Sequence, residues 1–462
     1  MPIRQFWFLR KLLLFAADGV LILILGNYTI YHAFPSIGFR EDSVLLPLVL
    51  ITTWLVLRSH ELYNVIERSF DEIFRSMIAA YVSIGCILFA FSFFSVEMDK
   101  IRLPMLWMLT CQFIALSLLR LLLWKVEKSL HEARKVLLIA PKEECRKIYH
   151  RLRSQPKNLL KLCYISMDVE NDDWKSKVAE VDLLVLGANL RHHQKVAIMN
   201  YATRHGKQVR IIPNTYEVFC SHAALTQIDD IPVFQPQGFY LRRELRIIKR
   251  VMDIALSLAG LICTLPFMLF AVIGIKLDDG GPLFYSQIRV GRGGREFRIY
   301  KFRSMRIDAE SKSGPMLAQE GDARITKMGN FLRMTRIDEL PQIWNVFVGD
   351  MSIVGPRPER PFFVEQFTKE HEEYAYRHNV KPGITGFAQI YGKYNTTAFD
   401  KLVYDLLYIQ QCSFLLDVVL ILKTIRVLFT KSATEGVQTG KDFEDMKKYV
   451  IGAKSGDVYG DY

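Results

Sequence analysis

Four apolar stretches fill the first quarter of the chain, at residues 12–31, 43–60, 77–96 and 103–124. Each approaches the roughly 20 residues that a helix needs to cross a bilayer. The second is the weakest, being short and holding Pro47. Arg120 lies near the end of the fourth, where its long stem is expected to snorkel the charge to the interface. Positive loops stay on the cytoplasmic side, and the basic residues fall unevenly. Arg4, Arg10 and Lys11 precede the first stretch; Arg58, Arg68 and Arg75 lie between the second and third; Lys125, Lys128, Arg134 and Lys135 follow the fourth. The other two loops carry only Arg40, then Lys100 and Arg102. The N-terminus and everything after the fourth stretch are therefore expected in the cytoplasm. No small-residue cleavage pattern follows the first stretch, so it reads as a retained anchor rather than a signal peptide.

The rest of the chain is too charged to be membrane throughout: half of the 462 residues are apolar, yet 23% are charged and the net charge is +12. That balance favours anionic surfaces or ligands and leaves nucleic acid, anionic lipid and nucleotides open on charge alone. The seven cysteines form no Cys-x-x-Cys pair, which excludes zinc spacing and a disulfide framework and points to a reducing compartment.

From about 134 to 235 the texture is soluble α/β. Residues 136–140, 181–186 and 209–213 read as strands, with helix over 143–153 and between the second and third strands. The alternation predicts a parallel, Rossmann-like sheet. A dinucleotide there would call for Gly-x-Gly-x-x-Gly after the first strand. Ala140-Pro-Lys-Glu-Glu144 stands in its place, with two acids where glycines belong, so a structural or regulatory domain is expected.

A basic run, Arg242 to Arg250, leads into a fifth apolar segment, 251–277. Pro266 near its middle removes a backbone hydrogen bond, and Lys249, Arg250 and Lys276 flank its ends. The expectation is a re-entrant helix that breaks at Pro266 and returns to the same face; a straight fifth span is the alternative. Residues 415–429 are apolar but interrupted by Lys423 and Arg426, which suits a helix lying in the interface. The last 25 residues or so, with Tyr449, Tyr459 and Tyr462, read as a mobile tail.

Between 278 and 400 the chain carries residues suited to phosphate. Asp278-Asp-Gly-Gly-Pro282 and Gly291-Arg-Gly-Gly294 are turn signals, and residues 297–303 read as a strand with Lys301 and Arg303 on one face. That face is either a solvated basic strand or a phosphate contact. In Arg333-Met-Thr-Arg-Ile-Asp-Glu-Leu-Pro-Gln342 the spacing of Leu340, Ile343, Trp344 and Phe347 predicts a helix starting at Asp338 or Glu339. Asp338 is then an N-cap candidate; the same helix start also suits an anion. A carboxylate beside a bound diphosphate can attack phosphorus, and its neighbour can hold Mg²⁺. Gly355-Pro-Arg-Pro358 restrains Arg357 between two prolines, as a surface turn or a phosphate clamp. Lys381-Pro-Gly-Ile-Thr-Gly386 reads as a further rigid turn.

Taken together, Lys249-Arg250, Asp253, Pro266, Gly281-Pro282, Lys301-Phe-Arg-Ser-Met305, Asp338-Glu-Leu-Pro-Gln342, Gly349-Asp-Met-Ser352, Gly355-Pro-Arg-Pro358 and Lys381-Pro-Gly-Ile-Thr-Gly386 resemble the bacterial sugar transferase family, the monotopic polyprenyl-phosphate phosphoglycosyl transferases. The whole layout is similar to its long members, the undecaprenyl-phosphate glucose or galactose phosphotransferases of exopolysaccharide synthesis. The resemblance implies a membrane protein with four transmembrane helices in residues 1–128, a degenerate Rossmann-like α/β domain in 129–240, an α/β catalytic domain in 241–435 with a re-entrant helix at 251–277, and a tail from 436 to 462. It implies Asp338 as nucleophile, Glu339 as Mg²⁺ ligand, and Lys301, Arg303, Arg333 and Arg357 as phosphate-binding residues. Pro266 matches the family's re-entrant break, although Leu265 stands where the family often has serine. The implied partners are a UDP-sugar, polyprenyl phosphate and membrane lipid, at the cytoplasmic face of the bacterial inner membrane. Nucleic acid is not expected, and a homo-oligomer is allowed. A glycosyltransferase forming a glycosidic bond is the alternative; many metal-dependent ones use Asp-x-Asp, which this chain lacks.

Overall fold

The computed structural model describes residues 2–29, 45–64, 68–92, 102–130, 132–153, 159–278, 280–306, 324–392, 396–428 and 449–451. Two compact units divide the chain, Met1–Asn214 with Gln438–Tyr462, and Thr215–Val437. Arg40, Lys100, Tyr459 and Tyr462 lie outside the described residues.

The first unit opens with four helices: α1 (Pro2–Tyr28), α2 (Leu45–Ser59), α3 (Phe70–Ser92) and α4 (Arg102–Leu130). They contact one another in a ring, α1 on α2 and α4, α3 on α2 and α4. Phe70–Ala90 and Arg102–Ser129 are long and apolar enough to cross a membrane, whereas the apolar helix at Pro47–Ser59 is shorter. Arg120 corrects an expectation. It is fully buried, and its Nη1 and Nη2 donate to Asp18 Oδ1 and Oδ2 at 3.0 and 2.6 Å. Snorkelling fails because a carboxylate on α1 lies within reach, and a bidentate pair costs less than dragging the charge past the packed helices.

The same unit holds β1 (Arg134–Ile139), α5 (Lys142–Arg153), β2 (Leu160–Ser166), α6 (Asp173–Val178), β3 (Leu183–Leu186), α7 (His192–Arg204) and β4 (Gln208–Ile211). The strands form a parallel sheet in the order β2-β1-β3-β4. The four apolar residues 136–139 of β1 and all of β3 are buried, as central strands covered on both faces must be. Two features escaped the sequence. Strand β2 was not predicted, although Leu162-Cys-Tyr-Ile165 is an apolar run; it is only four residues long and follows the exposed Lys161. Tyr449–Ile451, expected to be mobile, pairs with the far side of β2: Tyr449 O accepts from Ile165 N, and Ile451 N donates to Ile165 O at 2.9 Å.

Beyond the carboxyl ends of β1 and β3, Glu144 fills the place of the missing glycines. Its Oε1 accepts from Ala188 N at 2.7 Å and its Oε2 from Asn189 N at 3.1 Å. A Cβ on Gly187 would stand 2.5 Å from that carboxylate.

The second unit begins at Thr215, and Val218, Phe239 and Leu241 belong to its core. It runs through α8 (Thr215–Cys220), the hairpin β5 (Ala224–Ile228) and β6 (Ile231–Gln235), α9 (Arg243–Asp278), the hairpin β7 (Phe284–Val290) and β8 (Glu296–Phe302), then α10 (Lys327–Met334) and α11 (Gln342–Val348). There follow β9 (Ser352–Val354), α12 (Pro361–Glu370), β10 (Gly383–Thr385), α13 (Phe387–Tyr391), α14 (Ala398–Gln411) and α15 (Phe414–Leu428). Gly293 and Gly294, at φ 69° and 76°, make the β7–β8 turn in a region that side chains avoid. The 381–386 segment is not a free turn: it includes β10, parallel to β9, and Gly355 and Gly383 let the two chains touch.

Helix α9 is assigned as helix across Pro266, where the proline removes one backbone hydrogen bond. Its 36 residues are apolar enough to cross a membrane and pack on the unit near both ends. Near the start, Asp253 accepts from Ser352 Oγ and Ile353 N, Lys249 pairs with Asp417, and Arg250 donates to the carbonyls of Val346 and Phe347. Near the end, Ala271 and Ile275 pack with Phe302 and Leu332. Lys423 and Asp417 of α15 turn inward, the former donating to Tyr391 Oη, and Leu420 is fully buried. That helix is therefore part of the core as well as apolar at its exposed start, Phe414 and Leu415.

Removing one member of the Asp18–Arg120 pair leaves a buried charge without its partner. Asp18→Ala is expected to destabilise the chain by about 3–5 kcal/mol, and Asp18→Leu with Arg120→Met to recover most of that loss. Unfolding in detergent checks it; an equal loss in the single and double variants would remove the pair as the cause.

Candidate active site

The site forms where β8, the end of α10 and the start of α11 converge. Asn345 of α11 stitches these elements together, its Nδ2 donating to Arg298 O at 2.8 Å and its Oδ1 accepting from Tyr300 N at 3.2 Å. This brings Lys301, an inward residue of β8, to Glu339. Arg333 ends α10 and donates from Nε to Ser304 Oγ at 2.8 Å.

Between α10 and α11 the chain turns through Arg336, whose φ is 59°, a conformation costly for a side-chain-bearing residue. A single 3₁₀ turn, Ile337–Glu339, follows. The expectation that Asp338 starts and caps a helix is therefore corrected. α11 begins at Gln342 after Pro341, because the left-handed turn at Arg336 spends the preceding residues on a tighter coil. Asp338 is released from capping: it is 7% exposed and its Oδ1 makes no hydrogen bond.

Its neighbour is bound on two sides. Glu339 Oε1 accepts from Lys301 Nζ at 2.7 Å and from Arg357 Nη2 at 3.0 Å. Arg357 itself is 44% exposed at the side chain, facing outward from the Gly-Pro-Arg-Pro loop. Arg303 takes a different place from Lys301. It follows β8, is buried, and its guanidinium occupies the space that a side chain at Gly281 would fill. The structure thus brings Asp338, Glu339, Lys301, Arg333 and Arg357 together and sets Arg303 against the Gly281 turn. No sequence signal marks Arg336, since nothing singles out a non-glycine residue for a left-handed conformation.

The two carboxyls titrate in opposite directions. Burial pushes Asp338 up to about 6, with the charge of Glu339 adding to it, against the pull of Lys301, Arg333 and Arg336. Burial also opposes ionisation of Glu339, but Arg357 and Lys301 outweigh it and hold that carboxyl well below the usual range. Near neutral pH the site therefore presents an ionised, desolvated carboxylate with one free oxygen, beside a second carboxylate locked to two cations. Such a carboxylate can attack an electrophile or exchange a proton.

Because the folded pKa of Asp338 exceeds the unfolded one, its contribution to stability is greatest at low pH and is lost as pH rises through about 6. Ionising it by pH 7 costs about 3 kcal/mol. Asp338→Asn is expected to stabilise the chain by about that much at pH 7.5 and by little at pH 4. Thermal melts at the two pH values test this, and a pH-independent gain would contradict it.

Residues 244–431 match the family model for the bacterial sugar transferase. A UDP-N-acetylgalactosamine-undecaprenyl-phosphate N-acetylgalactosaminephosphotransferase of Aeromonas hydrophila is 48% identical over 186 residues, 40% of this chain and 44% of that protein. A UDP-glucose:undecaprenyl-phosphate glucose-1-phosphate transferase of Xanthomonas campestris pv. campestris is 38% identical over 251 residues, 53% and 52% of the two chains. The match spans about half the length of these two relatives. The sugar transferase EpsL of Bacillus subtilis is 40% identical over 192 residues, 42% of this chain and 91% of that protein. With the site's motifs all inside the matched region, the chain belongs to the bacterial sugar transferase family.

Proposed function

We propose that this protein transfers a sugar 1-phosphate from a UDP-sugar to polyprenyl (undecaprenyl) phosphate, releasing UMP and opening the assembly of an exopolysaccharide, capsule or O-antigen. The observation that carries the reading is the contrast at Asp338-Glu339: a buried carboxylate with a free oxygen beside one held by Lys301 and Arg357. The relatives' names supply the substrate class, nucleotide sugar and undecaprenyl phosphate. They differ in the sugar, so the hexose stays unspecified.

In the first half-reaction Asp338 attacks the β-phosphorus of the UDP-sugar. The bond from that phosphorus to the bridging oxygen breaks, UMP leaves with the electron pair, and an acyl phosphate joins the sugar phosphate to Asp338. In the second, a phosphate oxygen of the polyprenyl phosphate attacks the same phosphorus, and Asp338 leaves as carboxylate. Lys301, Arg333 and Arg357 stabilise charge that builds on the phosphoryl oxygens. Glu339 keeps Lys301 and Arg357 in position and assists the incoming lipid phosphate.

Mg²⁺ is the proposed cofactor. The described residues hold no group of three ligating side chains, which suits an ion that takes one or two carboxylates and completes its shell with phosphate and water. Asp338 Oδ1 is free, and Glu339 is tied down through Oε1, so Glu339 would hold the ion through its other oxygen. Bound there, Mg²⁺ would neutralise diphosphate charge.

Four transmembrane helices and a re-entrant α9, with the site at the cytoplasmic face of the bacterial inner membrane, complete the reading. Support comes from α9, whose two halves pack on one folded unit. A straight span would carry Ala271 and Ile275 to the opposite side of a core about 30 Å thick. Cysteines placed at Arg246 and Asp278 are expected to be labelled from the same, cytoplasmic side; labelling from opposite sides would establish a fifth span.

For the chemistry, incubation with UDP-glucose or UDP-N-acetylgalactosamine and Mg²⁺, without lipid, is expected to leave a phosphosugar mass on the peptide bearing Asp338. Asp338→Asn should lose the adduct and at least about 10³-fold in turnover. UDP in place of UMP as product would favour glycosyl transfer, and full turnover in Asp338→Asn would sink the assignment.

A further inference from the structure

The loop that presents Arg357 contains two prolines, which donate no backbone hydrogen bond. It is held instead through its acceptors, and four successive carbonyls have donors. Pro356 O accepts from Gly383 N at 2.8 Å, Arg357 O from Arg377 Nη2 at 2.9 Å, Pro358 O from Arg289 Nη1 at 3.0 Å, and Glu359 O from Val290 N at 3.0 Å. Two of the four donors are backbone groups of neighbouring segments. The two that are side chains flank the central residues of the loop, and the one on Arg357 itself is Arg377.

Arg377 is built for a fixed position. It is 5% exposed, its Nε and Nη2 donate to Asp405 Oδ2 at 3.0 and 2.7 Å, and its Nη1 donates to Tyr374 Oη. Asp405 is 1% exposed on α14. Burial pushes its carboxyl up to about 6, even against the pull of Arg377. A surface turn needs none of this. An ion pair this deeply buried gives little net stability against a hydrophobic substitute, yet here one arm of it reaches the carbonyl of the residue whose own guanidinium grips Glu339.

We propose that Arg377, anchored by Asp405, is a positioning residue that sets the reach of Arg357 toward Glu339. The chain of contacts runs from Asp405 through Arg377 to the Arg357 carbonyl, and from the Arg357 guanidinium to Glu339 beside Asp338. The inference rests on the reading of Arg357 and Glu339 given under the proposed function. It adds that their geometry is set from α14, a helix contributing no group to the reacting atoms. A lysine at 377 can keep the charge at Asp405 but cannot hold Asp405 and the Arg357 carbonyl together with a planar fork.

The test is a double-mutant cycle on the full chain in detergent, with UMP release from UDP-glucose or UDP-N-acetylgalactosamine as readout. Arg377→Lys is expected to lower kcat about tenfold, as is Arg357→Lys. The double variant should fall no further than Arg357→Lys alone, because a residue acting through Arg357 has nothing left to position. KM for the UDP-sugar should also rise in Arg377→Lys, since a displaced Arg357 holds the diphosphate less well. A purely structural loss would lower the active fraction and leave KM unchanged. Asp405→Asn, which keeps the Arg377 donor but loosens its anchor, should shift kcat and KM in the same directions by less. Multiplying effects with an unchanged KM would overturn the inference while leaving Arg357 in place. An Arg357→Lys variant of undiminished turnover would instead remove the underlying reading of the site. Should Arg377→Lys not fold, the same cycle with Asp405→Asn decides, additivity again overturning the proposal.

Discussion

Glu339 sits between Lys301 and Arg357, and the behaviour of Asp338 depends on that grip. Two adjacent carboxyls in a buried turn would ordinarily share a proton or swing apart. Here the cations are spent on Glu339, which stays ionised and fixed, while Asp338 carries the penalty of burial with an oxygen left unpaired. Opposed environments for neighbouring acids are how one site assigns them separate tasks. The strained turn at Arg336 serves the same end, because it keeps Asp338 off the cap of α11, where backbone N–H groups would have satisfied it.

The long apolar helix α9 joins the same framework. Lys249, Arg250 and Asp253 tie the start of α9 to α15, α11 and β9, and Ala271 and Ile275 pack its end against β8 and α10. Trp344 and Val348 of α11 and Phe331 and Met334 of α10 remain exposed, on the two helices that bracket Asp338. The turn that carries the carboxylates is thus flanked by two short helices with apolar side chains left exposed.

What the sequence made legible follows from how local each signal is. The Asp338-Glu339 pair, Lys301 and the Gly-Pro-Arg-Pro loop are contiguous patterns, and β1 and β3 are plain apolar runs, so all could be read in place. Arg120 could not, because its fate hangs on Asp18, 102 residues away. The same holds for Arg377 and Asp405, which look like ordinary surface charges until α14 brings them together. Strand β2 was missed because its apolar run, Leu162 to Ile165, is short and follows the exposed Lys161. The left-handed Arg336 and the later start of α11 are decisions of the packed structure, and helical spacing of Leu340, Ile343, Trp344 and Phe347 could not foresee them.

The Rossmann-like sheet carries the clearest case of a local departure with a structural consequence. In an open α/β sheet a ligand binds beyond the carboxyl ends of the strands, where the strand order reverses, which here is between β1 and β3. The amides of Ala188 and Asn189 point there, but both already donate to Glu144. An entering diphosphate would have to displace a carboxylate from two good hydrogen bonds and then sit beside its charge. The two acids in place of glycines therefore do more than omit a binding motif: one of them occupies the crevice itself. The domain keeps the architecture of a nucleotide fold with the amides of its crevice satisfied from within.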